Sequence, residues 1–422
     1  MDIIKFRADW RYIILFAFFI FSPTLQGAAL ASYIFFYGIP MLYLIINYKV
    51  MLMFFRRMDL RNFACYSGIL LLILLSILVP AVSGTDDYTY VNTTLSLVRA
   101  LVKYLFLAVI IWKNYKSEQA CEIFMLYFCY SVMLYVLGTF FFLAVPSAWN
   151  MCLRLVSSEE FSERIFGSFG YATRIGWMGF SGFRCTIRSS IAVLFLLTLR
   201  YNPRLVNKLN NTRFIPLLGF ALIGNAFYGR SGIIVSAAVI VSSAAVYRVV
   251  SAKKIIGALV GFGALLFLFV GLSKVSPLLN DWYVWMTTPF KQGIINSHSV
   301  QHNINDMLFK PEFKTMLIGD GKYTNADNSY YMHSDLGFMR KILFWGLPIT
   351  IIAYILTILT SRTLGRKYTS LLIPFVCLFA IFEFKGETYQ DLIPLMLSLG
   401  FLIKISHLFE ARNLKENVYE FR

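Results

Sequence analysis

The feature that most constrains this chain is a recurrence, from one end to the other, of apolar runs roughly 17–25 residues long, each sufficient to cross a hydrocarbon core of about 30 Å. Lipid offers no partner to backbone N–H and C=O groups, so runs of this kind must satisfy them internally, as helices. The runs occupy residues 12–26, 28–46, 62–82, 94–112, 119–145, 183–199, 214–228, 231–247, 255–272, 336–360, 369–384 and 390–406. They predict an all-α polytopic integral membrane protein of about 12 transmembrane helices. Only 14% of the side chains are charged, where a soluble domain carries about a quarter.

Lys5, Arg7 and Arg11, an apolar run and the small-residue stretch GAALAS imitate a secretory signal. The spans that follow make it a retained signal anchor. Cys65, Cys121, Cys129, Cys152, Cys185 and Cys377 are scattered and form no C-x-x-C pair, so they read as small core residues. The sequon at Asn92 is a short pattern that often arises by chance. A net charge of +17 would point to nucleic acid in a soluble protein. In a membrane chain its placement matters more, and no nucleic-acid partner is expected.

Basic residues gather in alternate connections: Lys49, Arg56, Arg57 and Arg61; Lys113 and Lys116; Arg200, Arg204, Lys208 and Arg213; Arg248, Lys253 and Lys254; Arg362, Arg366 and Lys367. The positive-inside rule places these loops and both termini in the cytoplasm. The alternation requires GRSG (229–232) to be a real turn between the seventh and eighth spans, rather than a point on one kinked helix. Arg230 then lies at the outer face. The chain divides into spans one to nine (1–272), a large outer loop (273–335) between spans nine and ten, spans ten to twelve (336–406), and a tail (407–422).

Several cations nevertheless sit at the outer ends of spans. Arg99 and Lys103 share one helical face, as do Arg184 and Arg188, with Arg174 just ahead. Arg230 is on its turn, Arg340 and Lys341 follow the first turn of the tenth span, and Lys385 caps the eleventh. One such residue can snorkel to the head groups. Five sites on one side instead indicate a polar cavity on a substrate path, and an anionic, membrane-embedded substrate. Guanidinium groups grip diphosphate oxygens bidentately. A glycine-flanked helix start adds backbone N–H groups, so GRSG reads as a phosphate-binding corner, with an ordinary tight turn as the alternative.

His298 and His302 are four apart, but Val300, Ile304, Met307 and Leu308 define the apolar face and both histidines fall opposite it, as on a solvated face. His333, Asp335 and Arg340 cluster where the long loop re-enters the membrane, with Ser334 or Asp335 an alternative helix cap. Glu383, Lys385 and Glu387 form a second charged knot. Trp282, Tyr283 and Trp285 suit an interfacial belt or the stacking of sugar rings. No D-x-D pair or metal-ligand set stands out, so positive charge for any chemistry must come from side chains, with no metal or other cofactor.

The GRSG turn between two spans, the late large loop, GDGKY (319–323) running into HSDLGFMRKILFWGLP (333–348), RIGWMGFSGF (174–183) and FKGE (384–387) together resemble the Wzy-type repeat-unit polymerases of bacterial O-antigen, capsule and exopolysaccharide pathways. The resemblance covers roughly residues 160–390, through short motifs. It implies a metal-independent inverting glycosyltransferase, at the periplasmic face of the inner membrane, that joins undecaprenyl-diphosphate-linked oligosaccharides. On that reading Arg174 and Arg230 hold the leaving diphosphate, with Arg184, Arg188, Arg340 and Lys385 assisting. His333, Asp335 or Glu387 deprotonates the attacking hydroxyl; His333 is favoured because an imidazole is half neutral near pH 6.5. A chain-length regulator and a flippase are the implied protein partners.

Two other readings compete. The related O-antigen ligases carry a His followed by Asn, Ser or Gln and then, about nine residues on, a Gly. Neither His302-Asn303 nor His333-Ser334 has Gly at that spacing, Gly346 coming two residues late. A lipid-linked oligosaccharide transporter also needs cations facing an anion. The chain shows no internal repeat of the kind many transporters carry, and its cations stop at the outer mouth.

Overall fold

The computed structural model describes residues 8–156, 175–180, 182–248, 283–284, 287, 301, 305–326 and 329–420. The predicted span 255–272, Arg174, Trp282, Trp285, His298 and His302 lie outside these residues. The described chain is almost wholly helical. In order, the helices are α1 (Trp10–Ile20), α2 (Ala29–Ile46, with a π turn at Ile34–Gly38), α3 (Tyr48–Arg56), α4 (Leu60–Ser83), α5 (Thr89–Tyr115), α6 (Ala120–Ala144) and α7 (Pro146–Val156). Next come α8 (Phe183–Tyr201), α9 (Asn211–Tyr228), α10 (Arg230–Tyr247), α11 (Phe313–Ile318), α12 (Gly337–Arg362), α13 (Leu372–Glu383) and α14 (Tyr389–Glu420). A two-residue hairpin, β1 (Ile175–Gly176) with β2 (Gly179–Phe180), precedes α8.

Seven of these helices, α2, α4, α5, α6, α10, α12 and α14 as far as Phe409, are long and apolar enough to cross a membrane. The chain is a polytopic helical membrane protein. α8 and α9 are as long, at 19 and 18 residues, but carry more polar side chains. The first predicted span is shorter than expected: α1 has 11 residues, roughly 17 Å at 1.5 Å per residue. Pro23 follows its end, and proline removes a donor and turns the preceding residue away from helix. α13 is also short, at 12 residues.

The core is built around α8, buried from Cys185 to Leu199, and the first half of α14. α5 packs on α14, α6 on α8, and α9 and α10 both on α8. Contacts with α8 give the direction of those two helices. Phe214, near the start of α9, meets Tyr201 at the end of α8. Tyr247, at the end of α10, bonds Thr198 at 3.1 Å. Gly229 lies between them, against Thr186 at the start of α8. α9 and α10 are therefore an antiparallel pair joined by one residue, and GRSG is a turn. Its glycines serve close approach: a Cβ on Gly229 would lie 2.7 Å from Thr186 Oγ1, and one on Gly232 2.6 Å from Asn225 Oδ1.

The two ends of the bundle collect the two kinds of connection distinguished in the sequence. At one end Lys367 pairs with Glu122 at 2.5 Å, Asn202 donates to Lys367 O at 3.0 Å, and Arg61 donates to Arg362 O at 2.9 Å. At the other, Gln26 N–H donates to Leu155 O at 2.8 Å and Thr85 Oγ1 to Gly321 O at 2.8 Å.

The second end is organised by a break in α12. Gly346 has φ 79° and ψ 167°, a conformation open essentially to glycine alone, and Pro348 brings no N–H. The carbonyls of Leu343 and Phe344 thereby lose their donors four residues on. The loop supplies replacements: Asp320 N–H to Leu343 O at 2.7 Å and Gly321 N–H to Phe344 O at 3.2 Å. Gly319, with φ 72° and ψ 169°, ends α11 back to back with Gly346, with no room for a Cβ against Phe344 O. Asp87 fixes the far side, accepting from the N–H groups of Tyr323 at 2.7 Å and Thr324 at 2.9 Å. Ser334 and Asp335 do not cap α12. Leu336 is its N-cap, without a side-chain bond, and the Ser334 hydroxyl turns instead to Met307 O at 3.2 Å.

Gly346→Ala and Gly319→Ala should each lower the thermal midpoint in detergent by about 3 °C or more, from a backbone cost of about 1–3 kcal/mol plus steric overlap. Gly365→Ala, at φ 72° with nothing within 4 Å of its Cβ, bears the backbone cost alone and should do less. Equal shifts in all three would mean that the loop is not docked on the break.

Candidate functional site

α8 enters the bundle at the end held by the α12 break, and its first two turns carry Arg184, which is exposed, and Arg188, which is buried. α14 faces them with Gln390 and Asp391, and α5 with Ser96, Arg99 and Lys103. Arg188 Nη2 lies 3.5 Å from Asp391 Oδ1, a long separation for an ion pair whose side chains are 5% and 10% exposed. Its Nη1 contacts Met178 sulfur at 3.3 Å, its guanidinium sits 5.4 Å over the Phe21 ring, and its buried Nε has no partner. Arg184 donates to Gln390 Oε1 at 3.3 Å. Ser96 shares that oxygen at 3.2 Å.

Lys103 and Arg99 complete the group. Lys103, buried, donates to Ser22 Oγ at 3.0 Å and lies 5.3 Å over Tyr37. Arg99 donates to Asn92 O at 2.7 Å and Tyr33 OH at 3.3 Å. Both tyrosines come from the π-turn region of α2, just before Pro40; π turns in helices often occur at functional sites. Arg99, Arg184, Arg188 and Asp391 all act electrostatically on Lys103. Four basic side chains thus gather around one carboxylate. Burial without a full set of partners is costly for a guanidinium, so this arrangement favours an incoming anion.

A polar chain leads from the cations to the docked loop. Gln390 Nε2 donates to Glu387 Oε2 at 3.0 Å, Tyr90 OH donates to Glu387 Oε1 at 3.1 Å, and the Tyr90 and Tyr389 hydroxyls meet at 3.0 Å. The Tyr90 ring packs 4.5 Å from Tyr323. Arg340 is buried with its guanidinium 3.6 Å over the Tyr330 ring and 4.5 Å from Tyr323. Its Nε is also without a partner.

The charged knot foreseen at 383–387 is arranged differently. Glu383 turns inward to pair with Lys341 at 2.5 Å, the side chains being 4% and 0% exposed. Its carboxylate also accepts from Tyr354 OH at 3.0 Å and from the N–H and hydroxyl of Thr388, both at 2.9 Å. Four donors satisfy it, so the pair is structural, and it ties α12 to the turn that presents Glu387, Gln390 and Asp391.

Of the candidate residues read from the sequence, Arg184, Arg188 and Glu387 come together, and Arg340 reaches them through Tyr323 and Tyr90. Arg230 opens α10, half-buried, beside Gly229 where that residue meets Thr186. The N–H of Gly232 turns back to Gly229 O at 2.9 Å, so this first-turn donor is already used. Lys385 is exposed at the end of α13. His333 and Asp335 are exposed; the His333 Nδ1 lies 3.4 Å from Ser329 Oγ, and its backbone is left-handed, at φ 52°. Asp391 and Gln390 were not among the candidates, although an acid at the head of the last apolar run is a recognisable signal. Comparison with family models, with curated proteins and with solved structures returns no match.

Lys341→Met or Glu383→Gln alone strands a buried partner and should destabilise by about 3–5 kcal/mol. The double variant should recover most of that in thermal unfolding. A double variant as unstable as the singles would refute a simple charge pair.

Proposed function

We propose that this chain is a polysaccharide repeat-unit polymerase of the Wzy type, joining undecaprenyl-diphosphate-linked oligosaccharides at the periplasmic face of a bacterial inner membrane. The observation that carries the reading is the under-paired guanidinium of Arg188, buried beside Lys103 and next to Arg184. A lipid-linked diphosphate is an anion delivered at membrane depth, and it fits that demand. The twelve-span count, the cytoplasmic termini and the outer placement of the 273–335 loop belong to the same proposal.

In the reaction, the acceptor hydroxyl oxygen forms a bond to the anomeric carbon as the bond from that carbon to the diphosphate oxygen breaks. Negative charge grows on the leaving diphosphate, and fixed cations stabilise it most in the transition state. Arg188 and Arg184 are the side chains in place for this, with Lys103 beside them and Arg230 and Arg340 at the same end. The hydroxyl proton passes to a base. Of His333, Asp335 and Glu387, we assign the base to Glu387, which Gln390 links to Arg184. Inversion follows from a single displacement.

Purified protein given lipid-diphosphate-linked repeat units alone should yield a ladder of multiples. Arg188→Ala should slow its formation about 100-fold or more, with Arg188→Lys intermediate because it keeps the charge and loses the fork. Transfer only when lipid A-core is added would make the chain a ligase. Movement of the units across proteoliposomes without a ladder would make it a transporter. A ladder unchanged in Arg188→Ala would remove the cation cluster from the mechanism.

A further inference from the structure

We infer that Tyr330, supported by Arg340 and Tyr323, is a stacking platform for a saccharide ring, and that it receives the terminal sugar of the acceptor. The inference deepens the polymerase reading and rests on it for the class of ligand. Its evidence lies in the loop. Tyr330 is 40% exposed, yet one face of its ring is held by a buried guanidinium at 3.6 Å. That guanidinium is itself held against Tyr323 at 4.5 Å, and Tyr323 meets the Tyr330 ring edge-on at 5.9 Å. Tyr323 is anchored through its backbone to Asp87, and its N–H···O partner Tyr331 is bonded back to it at 2.9 Å. An exposed aromatic fixed in this way loses little conformational freedom when a ligand lands on it.

The surroundings have the mixed character of a sugar site, an apolar face with a few polar groups at its edge. The hydroxyl of Tyr330 lies within the electrostatic reach of Asp335, Glu387 and Arg184. The Tyr330–Tyr323–Tyr90 ring contacts lead to Glu387, on which Tyr90 places its hydroxyl at 3.1 Å. A pyranose stacked by its C–H face on Tyr330 would present hydroxyls at its rim to these groups. One of those hydroxyls would lie on the Glu387 side, where the proposed base waits. In this arrangement Arg340 is a positioning residue for the platform rather than a ligand of the diphosphate.

The test needs no turnover. Saturation-transfer NMR on the full chain in nanodiscs, with methyl glycosides of glucose, galactose, mannose, rhamnose and N-acetylglucosamine, reads ring contact directly. At least one glycoside should receive saturation from wild type. Tyr330→Phe and Tyr330→Trp should retain it, and Tyr330→Leu should reduce it by about fivefold, as expected for one aromatic contact. Arg340→Met should reduce it too. Thermal midpoints of all variants separate loss of the platform from loss of the fold. No transfer to any glycoside, or transfer that survives Tyr330→Leu in a folded protein, overturns the inference. Transfer that depends on Tyr330 in a protein that makes no ladder would keep the platform and remove the polymerase.

Discussion

The organisation of the site depends on two hydrogen bonds that repair a broken helix. A proline and a glycine inside α12 release the carbonyls of Leu343 and Phe344, and orphaned carbonyls at membrane depth are tolerated only where protein or water satisfies them. The 319–321 segment meets that requirement with its own N–H groups. Because Gly319 and Gly346 touch backbone to backbone, the fit leaves no slack for sliding. Everything downstream in the loop, Tyr323, Tyr330 and the start of α12 with Arg340 and Lys341, is placed relative to that contact.

Charge is handled in two contrasting ways within this end of the bundle. Glu383 and Lys341 are fully desolvated and fully satisfied, with the carboxylate accepting from four donors. Arg188 is almost as buried but has a long carboxylate contact, a sulfur, a ring face and the neighbouring Tyr104 hydroxyl. The first arrangement resists change, and the second gains from a better acceptor. The two buried charges thus differ in how fully they are partnered, even though both would look alike as isolated charges in apolar sequence.

Much of the helical layout was legible because hydropathy and helix length report the same physical demand. Eleven of the twelve apolar intervals contain a described helix, although seven meet the length and composition of a span. The alternation of basic loops anticipated which connections meet at each end, and the turn at GRSG followed from it. Hydropathy overestimated α1: the interval drawn to residue 26 takes in Ser22-Pro23-Thr24-Leu25-Gln26, and the helix stops at Ile20. The pairing of Glu383 with Lys341, 42 positions apart, has no local signature, and the sequence reading joined Glu383 to the nearer Lys385. The chain from Arg184 through Gln390 and Glu387 to Tyr90 was likewise invisible, since it joins residues nearly 300 apart. Ser334 looked like a cap because caps are recognised by residue type, and it is instead a tether for the loop.

The single-residue link between α9 and α10 has a mechanical meaning. Motion at a hinge requires residues whose dihedrals can change, and Gly229 is wedged against Thr186 with its neighbours already helical. Thr186 stands between Arg184 and Arg188 on α8. The three guanidinium-bearing positions 184, 188 and 230 therefore ride on one rigid frame, and any rearrangement at this end of the bundle has to take place around that frame, not within it.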